Sequence, residues 1–368
     1  MSEIFKKSTP TGFETDGMGR IYYFDNLKFF LILLVVIAHF TYPATSINKI
    51  YEGLGMFLIT VPMPVFIFVS GYFSKSIIET KTGRFKFERI IHFIILYTFM
   101  SFVLFLINYY LLKSVDTYHF LSPITPAWFL MSCMFWYALI PVIQGIKPVY
   151  VLTCSVILAL IAGIDPLIGD FLTLSRVICF FPFFISGYYV SREVLESLLN
   201  FGRKYARIIA LSGLIVFLIF CIMDPLNYGE FRRIISPHYP YEQIPALGDM
   251  YNLTGPLARF IWYTGSAVIV VAFLIVIPRK KILFTNIGTK TLQIYILHSV
   301  TENFLRYLGL YTFADSSNNW IINALPFITA ICLTFLFSLK PFGLPFNFVT
   351  SLKFEFLFKG NKNDHINQ

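Results

Sequence analysis

Ten stretches of about twenty mostly apolar residues follow one another along the chain, and they constrain the fold more than any other feature. They cover residues 24–43, 53–73, 90–112, 127–146, 149–166, 171–190, 207–223, 257–278, 288–309 and 320–339. A helix needs roughly 20 apolar residues to cross the hydrocarbon core of a bilayer. Pro141, Gly163 and Pro182 interrupt the fourth to sixth stretches, so the sequence defines the boundaries of these three less sharply. The pattern predicts an all-α polytopic membrane protein with about ten transmembrane helices.

The composition excludes a soluble domain. Of the 368 residues, 57% are hydrophobic and 13% are charged, whereas soluble domains carry about 25% charged residues. The net charge of +9 comes from Lys and Arg clusters between the apolar stretches, so it predicts membrane orientation rather than a nucleic-acid partner. All five cysteines lie in or beside apolar stretches and are expected to be core residues, not metal ligands or disulfides. The first 20 residues contain no apolar stretch, so we expect the first helix to act as the targeting signal.

The basic residues predict an orientation, because Lys and Arg concentrate in cytoplasmic loops. With a cytoplasmic N-terminus and ten helices, 21 of the 29 basic residues fall on the inner side. The outer loops hold five, namely Lys49, Lys113, Arg232, Arg233 and Arg306, while Lys28, Arg176 and Arg259 fall within helices. Both termini are therefore expected to be cytoplasmic.

This orientation divides the chain into three parts. Residues 1–23 form a cytoplasmic N-terminal segment, 24–339 a ten-helix transmembrane domain, and 340–368 a cytoplasmic tail. The longest loop, about 224–256, is expected to lie outside and is rich in Pro, Tyr and acidic residues. Loops of this length are uncommon unless they are functional or disordered. A lid that contacts a sugar and a plain connector are equally good interpretations of this loop.

The first helix carries Lys28 and His39, two ionisable residues that are candidates for a functional site. They are eleven residues apart, close to three helical turns, so they share one face and are separated by roughly 16 Å along the axis. Charged groups within spans are costly and usually face the bundle interior or a wet cavity. The alternative is that Lys28 reaches the cytoplasmic headgroups and His39 is a hydrogen-bonded packing residue.

Other polar side chains fall at a comparable depth once the orientation is applied. Trp128, Arg176 and Arg259 lie towards the outer half of the fourth, sixth and eighth helices, and His298 lies midway along the ninth. Trp128 and Arg259 could equally be interfacial anchors. Arg176 is harder to explain in that way, because an almost unbroken apolar run follows it. No His, Cys or carboxylate spacing in the sequence matches a metal site.

Five motifs resemble those of a known family, in order and spacing. They are YFDNLKFFLILLVVIAHF, VFIFVSGYFSKS, PAWFLMSCMFWYAL, SRVICFFPFFISGYYV and IGTKTLQIYILHSV, which together span roughly residues 20–340. The chain resembles the membrane-bound acyltransferase-3 superfamily, in particular the fucose 4-O-acetylase-like branch of bacterial O-acetyltransferases. The signature of that family is a basic residue followed by ten residues of any type and then a histidine. In this sequence the basic residue is Lys28 and the histidine is His39. The basic residue is often Arg in the family, so Lys is a departure.

The resemblance implies transfer of an acyl group, usually acetyl, from cytoplasmic acetyl-CoA to a hydroxyl of a surface glycan or its lipid-linked precursor. Lys28 would bind the donor phosphates, although Lys lacks the bidentate fork of Arg. His39 would be the general base or would carry the acetyl group as an acyl-imidazole. Trp128, Arg176, Arg259 and His298 are the expected substrate-binding residues. Among these, Trp128 would stack on a sugar, Arg176 would stabilise an oxyanion or orient a carboxylate, and His298 is the second candidate for the base.

The implied protein has no permanently bound cofactor and lies in a bacterial plasma membrane as a multi-pass protein in contact with lipid. A competing class is a transporter of glycan or lipid-linked sugar that performs no chemistry, because intramembrane charges would serve it equally well. A purely structural membrane protein would not explain why Lys28 and His39 share a helix face. Acetyl transfer from labelled acetyl-CoA by purified protein would discriminate between the first two classes.

Overall fold

The computed structural model describes residues 13–16, 19–78, 85–123, 126–200, 203–223 and 228–354. Within these ranges the chain is almost entirely helical and forms no sheet. The helices are α1 (Tyr22–Thr41), α2 (Lys49–Thr60), α3 (Pro62–Ser74), α4 (Glu88–Leu106), α5 (Trp128–Ile143), α6 (Pro148–Ile161), α7 (Leu174–Tyr189), α8 (Arg192–Asn200), α9 (Arg203–Ile222), α10 (Tyr228–Ile235), α11 (Tyr251–Val276), α12 (Thr291–Tyr307), α13 (Leu310–Asp315), α14 (Trp320–Asn323), α15 (Leu325–Phe337) and α16 (Lys340–Ser351).

Each of the ten apolar stretches coincides with at least one helix, but fewer helices are long and apolar enough to cross a bilayer unaided. Among the described residues six qualify, and a seventh if α15 and α16, bent by 63° at their junction, count as one span. The helices α5 and α6 are apolar but have only 16 and 14 residues. The helix α12 buries Gln293, His298, Glu302 and Asn303, which lower its apolar content. The number ten therefore stays a prediction, as do the sides of the termini.

The second stretch, 53–73, is not one continuous helix. The helix begins earlier, at Lys49, and α2 gives way to α3 at Val61. Pro62 and Pro64 follow the break, and proline is tolerated in a first helical turn because it lacks only an N–H that would be unpaired there. The break is local, since Lys49–Ile77 still forms a single candidate span.

Two glycines from the recurring Ser-Gly-Tyr sequence bring α3 and α7 into close contact. A Cβ atom added at Gly71 would lie 1.9 Å from the carbonyl oxygen of Phe184, and one added at Gly187 would lie 1.9 Å from that of Phe68. Small residues allow membrane helices to approach at the backbone. Two of the motifs in the sequence thus pack directly against each other.

Helix α1 is the central helix of the bundle. It packs against α2, α3, α12, α15 and the turn 285–290. Asn26 fixes its first turn by donating to the carbonyl oxygens of Pro278 and Lys280, at 2.9 and 2.8 Å. Its burial on most sides places any polar group along it inside the bundle.

The outer surface is apolar. Helix α9 exposes Ile209, Val216 and Phe220, and α4 exposes Phe99 and Phe102. Large apolar surfaces of this kind are rare on soluble proteins and match a surrounding of lipid tails. The protein is a multi-pass membrane protein.

The two ends of the bundle differ in chemistry. Phe24 in the first turn of α1 packs on Tyr72 and Phe73 at the end of α3, with ring centroids 5.2 and 5.0 Å apart. Lys75 Nζ donates to the carbonyl oxygen of Val190, which follows α7. We call this the basic end; it holds Arg20, Lys28, Lys75, Arg279 and Lys280. The opposite end, which we call the histidine end, holds His39, Trp128, Arg176, His298 and the loop 228–250.

Candidate active site

His39 on α1 and His298 on α12 meet at the histidine end. Their ring centroids are 5.2 Å apart and the rings are inclined at 51°. The side chain of His298 is fully buried, whereas that of His39 is partly exposed. The sequence placed both at intramembrane depth but did not predict that they are neighbours.

The hydrogen bonding of His298 fixes its tautomer. Its Nδ1 lies 2.8 Å from the carbonyl oxygen of Ile294, and because a carbonyl can only accept, Nδ1 carries the proton. The neutral ring therefore has a lone pair on Nε2. That nitrogen is buried and has no hydrogen-bond partner among the described residues. Unpaired buried polar atoms are rare, and they often mark functional sites.

The same face of α12 continues with two charged residues at intervals of four. Glu302 is buried, and its Oε1 accepts from Arg306 Nη2 at 2.7 Å and from the Tyr311 hydroxyl at 2.9 Å. From the sequence, Arg306 was expected to be an outer-loop charge, and Glu302 was not singled out. The spacing of His298, Glu302 and Arg306 along one helix face was the signal that could have identified them.

Tyr295 connects the histidine pair to the start of α5. Its ring lies 6.0 Å from that of His298, and its hydroxyl donates to the carbonyl oxygen of Pro126 at 2.5 Å. Trp128 begins α5 two residues later. The site therefore extends from the α1–α12 contact to the first turn of α5.

The structure brings Trp128 and Arg176 into contact, which the sequence did not predict. The guanidinium carbon of Arg176 lies 5.6 Å from the centroid of the Trp128 ring. Arg176 also pairs with the carboxylate of Asp170, at 2.7 Å, and that carboxylate is half exposed. Trp128 also stacks on Phe180, with ring centroids 5.5 Å apart. Trp128 is buried, with 8% of its surface exposed, and the Arg176 side chain is 12% exposed, so Asp170 is the open part of this group.

The long loop contributes His238 to this group. His238 is partly buried and receives or donates a hydrogen bond at 3.1 Å between Nδ1 and the Ser236 hydroxyl. Burial, reinforced by the charge of Arg176, lowers the pKa of His238 to about 4. His238 is therefore neutral at physiological pH and lies beside Arg176 without adding charge to it.

Arg259 lies apart from the histidine pair and is deeply buried, with 2% of its surface exposed. Its Nη1 donates to the carbonyl oxygen of Ala159 at 3.0 Å, and its guanidinium lies 4.6 Å from the Tyr241 ring centroid. Tyr241 comes from the long loop and fits between Gly163 and Gly255, where added Cβ atoms would lie 2.6 and 2.3 Å from its ring. Arg259 thus holds the loop against the bundle, and its role towards substrate stays a prediction.

Lys28 lies at the opposite end of α1, and it is not an isolated cation. Its Nζ lies 2.9 Å from Asp25 Oδ1, and Arg20 Nε lies 2.5 Å from Asp25 Oδ2. About a quarter of the Lys28 side chain is exposed. The sequence predicted the position of Lys28 near the end of α1 but not its ion pairs.

The described residues contain no group of three or more His, Cys, Asp or Glu side chains that could hold a metal ion. All five cysteines are free thiols.

Comparison with known proteins places this geometry in a family. The model of the acyltransferase-3 family, described as an acyltransferase domain, matches residues 21–339, which is most of the chain and includes both histidines and Lys28. No curated protein and no solved structure matches the chain. The protein therefore belongs to the acyltransferase-3 family of membrane acyltransferases.

Proposed function

We propose that the protein is an O-acetyltransferase that moves an acetyl group from acetyl-CoA to a hydroxyl of a cell-surface polysaccharide or its lipid-linked precursor. The five motifs favour the fucose 4-O-acetylase-like branch and a bacterial plasma membrane. The observation that carries the proposal is the contact between the rings of His39 and His298, whose Nε2 has no partner in the described part of the chain, inside a chain of the acyltransferase-3 family.

A hydroxyl is a weak nucleophile, and histidine is the side chain best suited to take its proton near neutral pH. In the proposed reaction His39 takes the proton while the hydroxyl oxygen attacks the thioester carbonyl. The carbon–sulfur bond breaks, the acetyl group passes to oxygen, and coenzyme A leaves as a thiolate that regains the proton. In the alternative route the His39 nitrogen attacks first and carries the acetyl group as an acyl-imidazole.

His298 has a positioning role in this scheme. A lone pair on Nε2 can accept a hydrogen bond from the ring N–H of His39, and a centroid separation of 5.2 Å suits such a contact after a modest rotation of one ring. That bond would orient the other nitrogen of His39 towards the hydroxyl, as a third group orients the base in catalytic triads. Either histidine could hold the proton during turnover, and His298 is the second candidate for the base.

The donor and acceptor would approach from opposite ends of the bundle. Lys28 lies on the His39 face, roughly 16 Å away along α1, so it would hold the donor phosphates while the pantetheine arm extends towards the histidines. Trp128 would line the acceptor site, and Arg176 would bind a polar group of the sugar. Arg259 would act on the acceptor through Tyr241 and the loop 228–250.

The proposed orientation places the basic end in the cytoplasm, where acetyl-CoA is found, and the loop outside. Tags inserted at residue 80 and at the C-terminus should then react with cytoplasmic reagents, and a tag near residue 240 with external ones. Cytoplasmic labelling at 240 would overturn this orientation.

The function itself is tested with purified protein in lipid nanodiscs, acetyl-labelled acetyl-CoA and surface polysaccharide from cells that lack the protein. Label should enter the polysaccharide and should be released by mild alkali, as expected of an ester. Absence of label, combined with protein-dependent movement of the glycan across sealed vesicles, would favour the transporter instead.

A further inference from the structure

The first turn of α1 contains an ion cluster that is larger than the signature lysine. Asp25 Oδ1 lies 2.9 Å from Lys28 Nζ and accepts from Arg20 Nη2 at 2.8 Å, while Asp25 Oδ2 accepts from Arg20 Nε at 2.5 Å. Arg20 therefore binds the Asp25 carboxylate with two parallel hydrogen bonds, and Lys28 contacts one of the same two carboxylate oxygens. Asp25 offsets one of the two positive charges, and Asp16, whose Oδ1 accepts from the Arg20 backbone N–H at 2.7 Å, adds a second carboxylate beside Arg20.

In this cluster the carboxylate of Asp25 is buried, whereas the two cationic side chains are partly exposed. The side chain of Asp25 is 4% exposed, that of Lys28 24% and that of Arg20 47%. Three of the five guanidinium N–H groups of Arg20 are not used by Asp25. An approaching anion would therefore contact Lys28 and the remaining N–H groups of Arg20 rather than the carboxylate of Asp25.

The backbone beneath the cluster is held in place. A Cβ atom at Gly288 would lie 1.8 Å from the carbonyl oxygen of Asp25, so the turn 285–290 lies directly against it. The neighbouring Asn26 bonds to the chain after α11 and accepts from the Thr285 hydroxyl at 2.6 Å. This support fixes Asp25, and Asp25 in turn fixes the two cations.

Aromatic rings adjoin the cluster. Lys28 Nζ lies 5.8 Å from the centroid of the Phe73 ring, and Phe24 stacks on Tyr72. Tyr72 and Phe73 are only partly buried. Cations beside partly open rings suit a nucleotide, which presents phosphates together with a planar base.

We propose that Arg20, Asp25 and Lys28 form a preassembled phosphate clamp for the nucleotide diphosphate of the acyl-CoA donor, with Asp25 as the positioning residue. Arg20 supplies the bidentate fork that lysine at position 28 cannot. This inference rests on the proposed function for the identity of the donor. It adds Arg20 and Asp25 to the donor site and assigns them different roles.

The test measures binding of coenzyme A and of pantetheine, which lacks all the phosphates, to the protein in nanodiscs. The parent should bind coenzyme A more tightly than pantetheine. Arg20→Ala should weaken coenzyme A binding by about tenfold or more, the value of a charge-assisted hydrogen bond, and should leave pantetheine binding unchanged. Arg20→Lys should lie in between, because it keeps the charge and loses the fork. The ratio of the two affinities is read within each variant and does not depend on how much of the protein is folded.

Lys280→Ala is the matched control, since it removes one positive charge from the same end at an 83% exposed side chain. It should change coenzyme A binding less than twofold. Parental discrimination between coenzyme A and pantetheine in Arg20→Ala, or an equal loss in Lys280→Ala, would overturn the clamp and leave the proposed function standing. A parent that binds neither ligand would overturn the donor assignment and the clamp together.

Asp25→Asn separates positioning from simple attraction. Removing a negative charge should tighten binding of an anion if only net charge matters. If Asp25 arranges Lys28 and Arg20, the variant should instead bind coenzyme A several-fold more weakly. Tighter binding in Asp25→Asn would show that Asp25 competes with the phosphates, and it would overturn the positioning role.

Discussion

The two ends of α1 handle charge in opposite ways. At the basic end Asp25 compensates Lys28 and Arg20 within hydrogen-bond distance. At the histidine end His39 and His298 face each other as imidazoles, and His298 Nε2 has no partner in the described part of the chain. Ion pairs keep charge in place, whereas a neutral imidazole with a free lone pair can take up a proton and then release it. The difference suggests one helix with two functions, binding of an anion at one end and proton transfer at the other.

The largest expected effect is at His39. His39→Ala should lower the transfer rate by about 10²–10⁴-fold, because it removes the proposed base or acyl carrier. Coenzyme A binding should stay within twofold of the parent, since the basic end is unchanged. Transfer and binding are measured on the same nanodisc preparation.

The control is His92→Gln, which changes a histidine elsewhere in the membrane domain. His92 Nε2 lies 3.0 Å from the carbonyl oxygen of Leu352, and the Gln side chain can keep a hydrogen bond there. This variant should transfer acetyl at near-parental rate. If His39→Ala also does so, the base is assigned to His298 instead. If His298→Ala is fully active as well, neither histidine is the base or acyl carrier, and the assignment of the active site to this pair fails.

The sequence predicted the helices better than the contacts between them. Each apolar stretch became helix because a segment of that length in lipid must satisfy its backbone hydrogen bonds internally. The depth of His39 and His298 followed from their positions within their stretches. Their contact did not, because no periodicity within one helix reports which face of another helix it meets.

The ion pairs at the start of α1 were also not predicted from the sequence. Lys28 and Asp25 are three residues apart, so their pairing was accessible to helical spacing. Arg20 precedes the helix, where spacing rules do not apply, and it was counted only as an inner charge. Similarly, the loop sequence revealed many Tyr and Pro residues, but the insertion of Tyr241 between Gly163 and Gly255 depends on tertiary packing.

A smaller effect is expected at Lys28 and would sharpen the contrast between the two ends. Lys28→Ala should weaken coenzyme A binding by about tenfold, whereas Lys28→Arg should bind as tightly as the parent or more tightly, since Arg adds a phosphate-binding fork. The rate at saturating donor should change little in either variant, because the histidine pair is intact. Equal, parental binding by both would reduce Lys28 to an anchor at the headgroups.

The smallest effect is expected at Arg259, whose surroundings differ from those of Arg176 and Arg306, which both pair with carboxylates. In the described residues it has no carboxylate partner; its contacts are the Ala159 carbonyl, the Cys179 sulfur and the Tyr241 ring. Replacement of a buried charge by an apolar side chain of similar length can be nearly neutral for stability, because lost contacts are offset by relieved desolvation. Arg259→Met should therefore fold, and losing the cation–π contact should loosen the loop and raise the KM for the acceptor by about threefold. Tyr241→Leu should have a similar effect, and the double variant should be no worse than either single one, since both disrupt the same contact. Additive losses would instead mean that Arg259 contacts the acceptor directly.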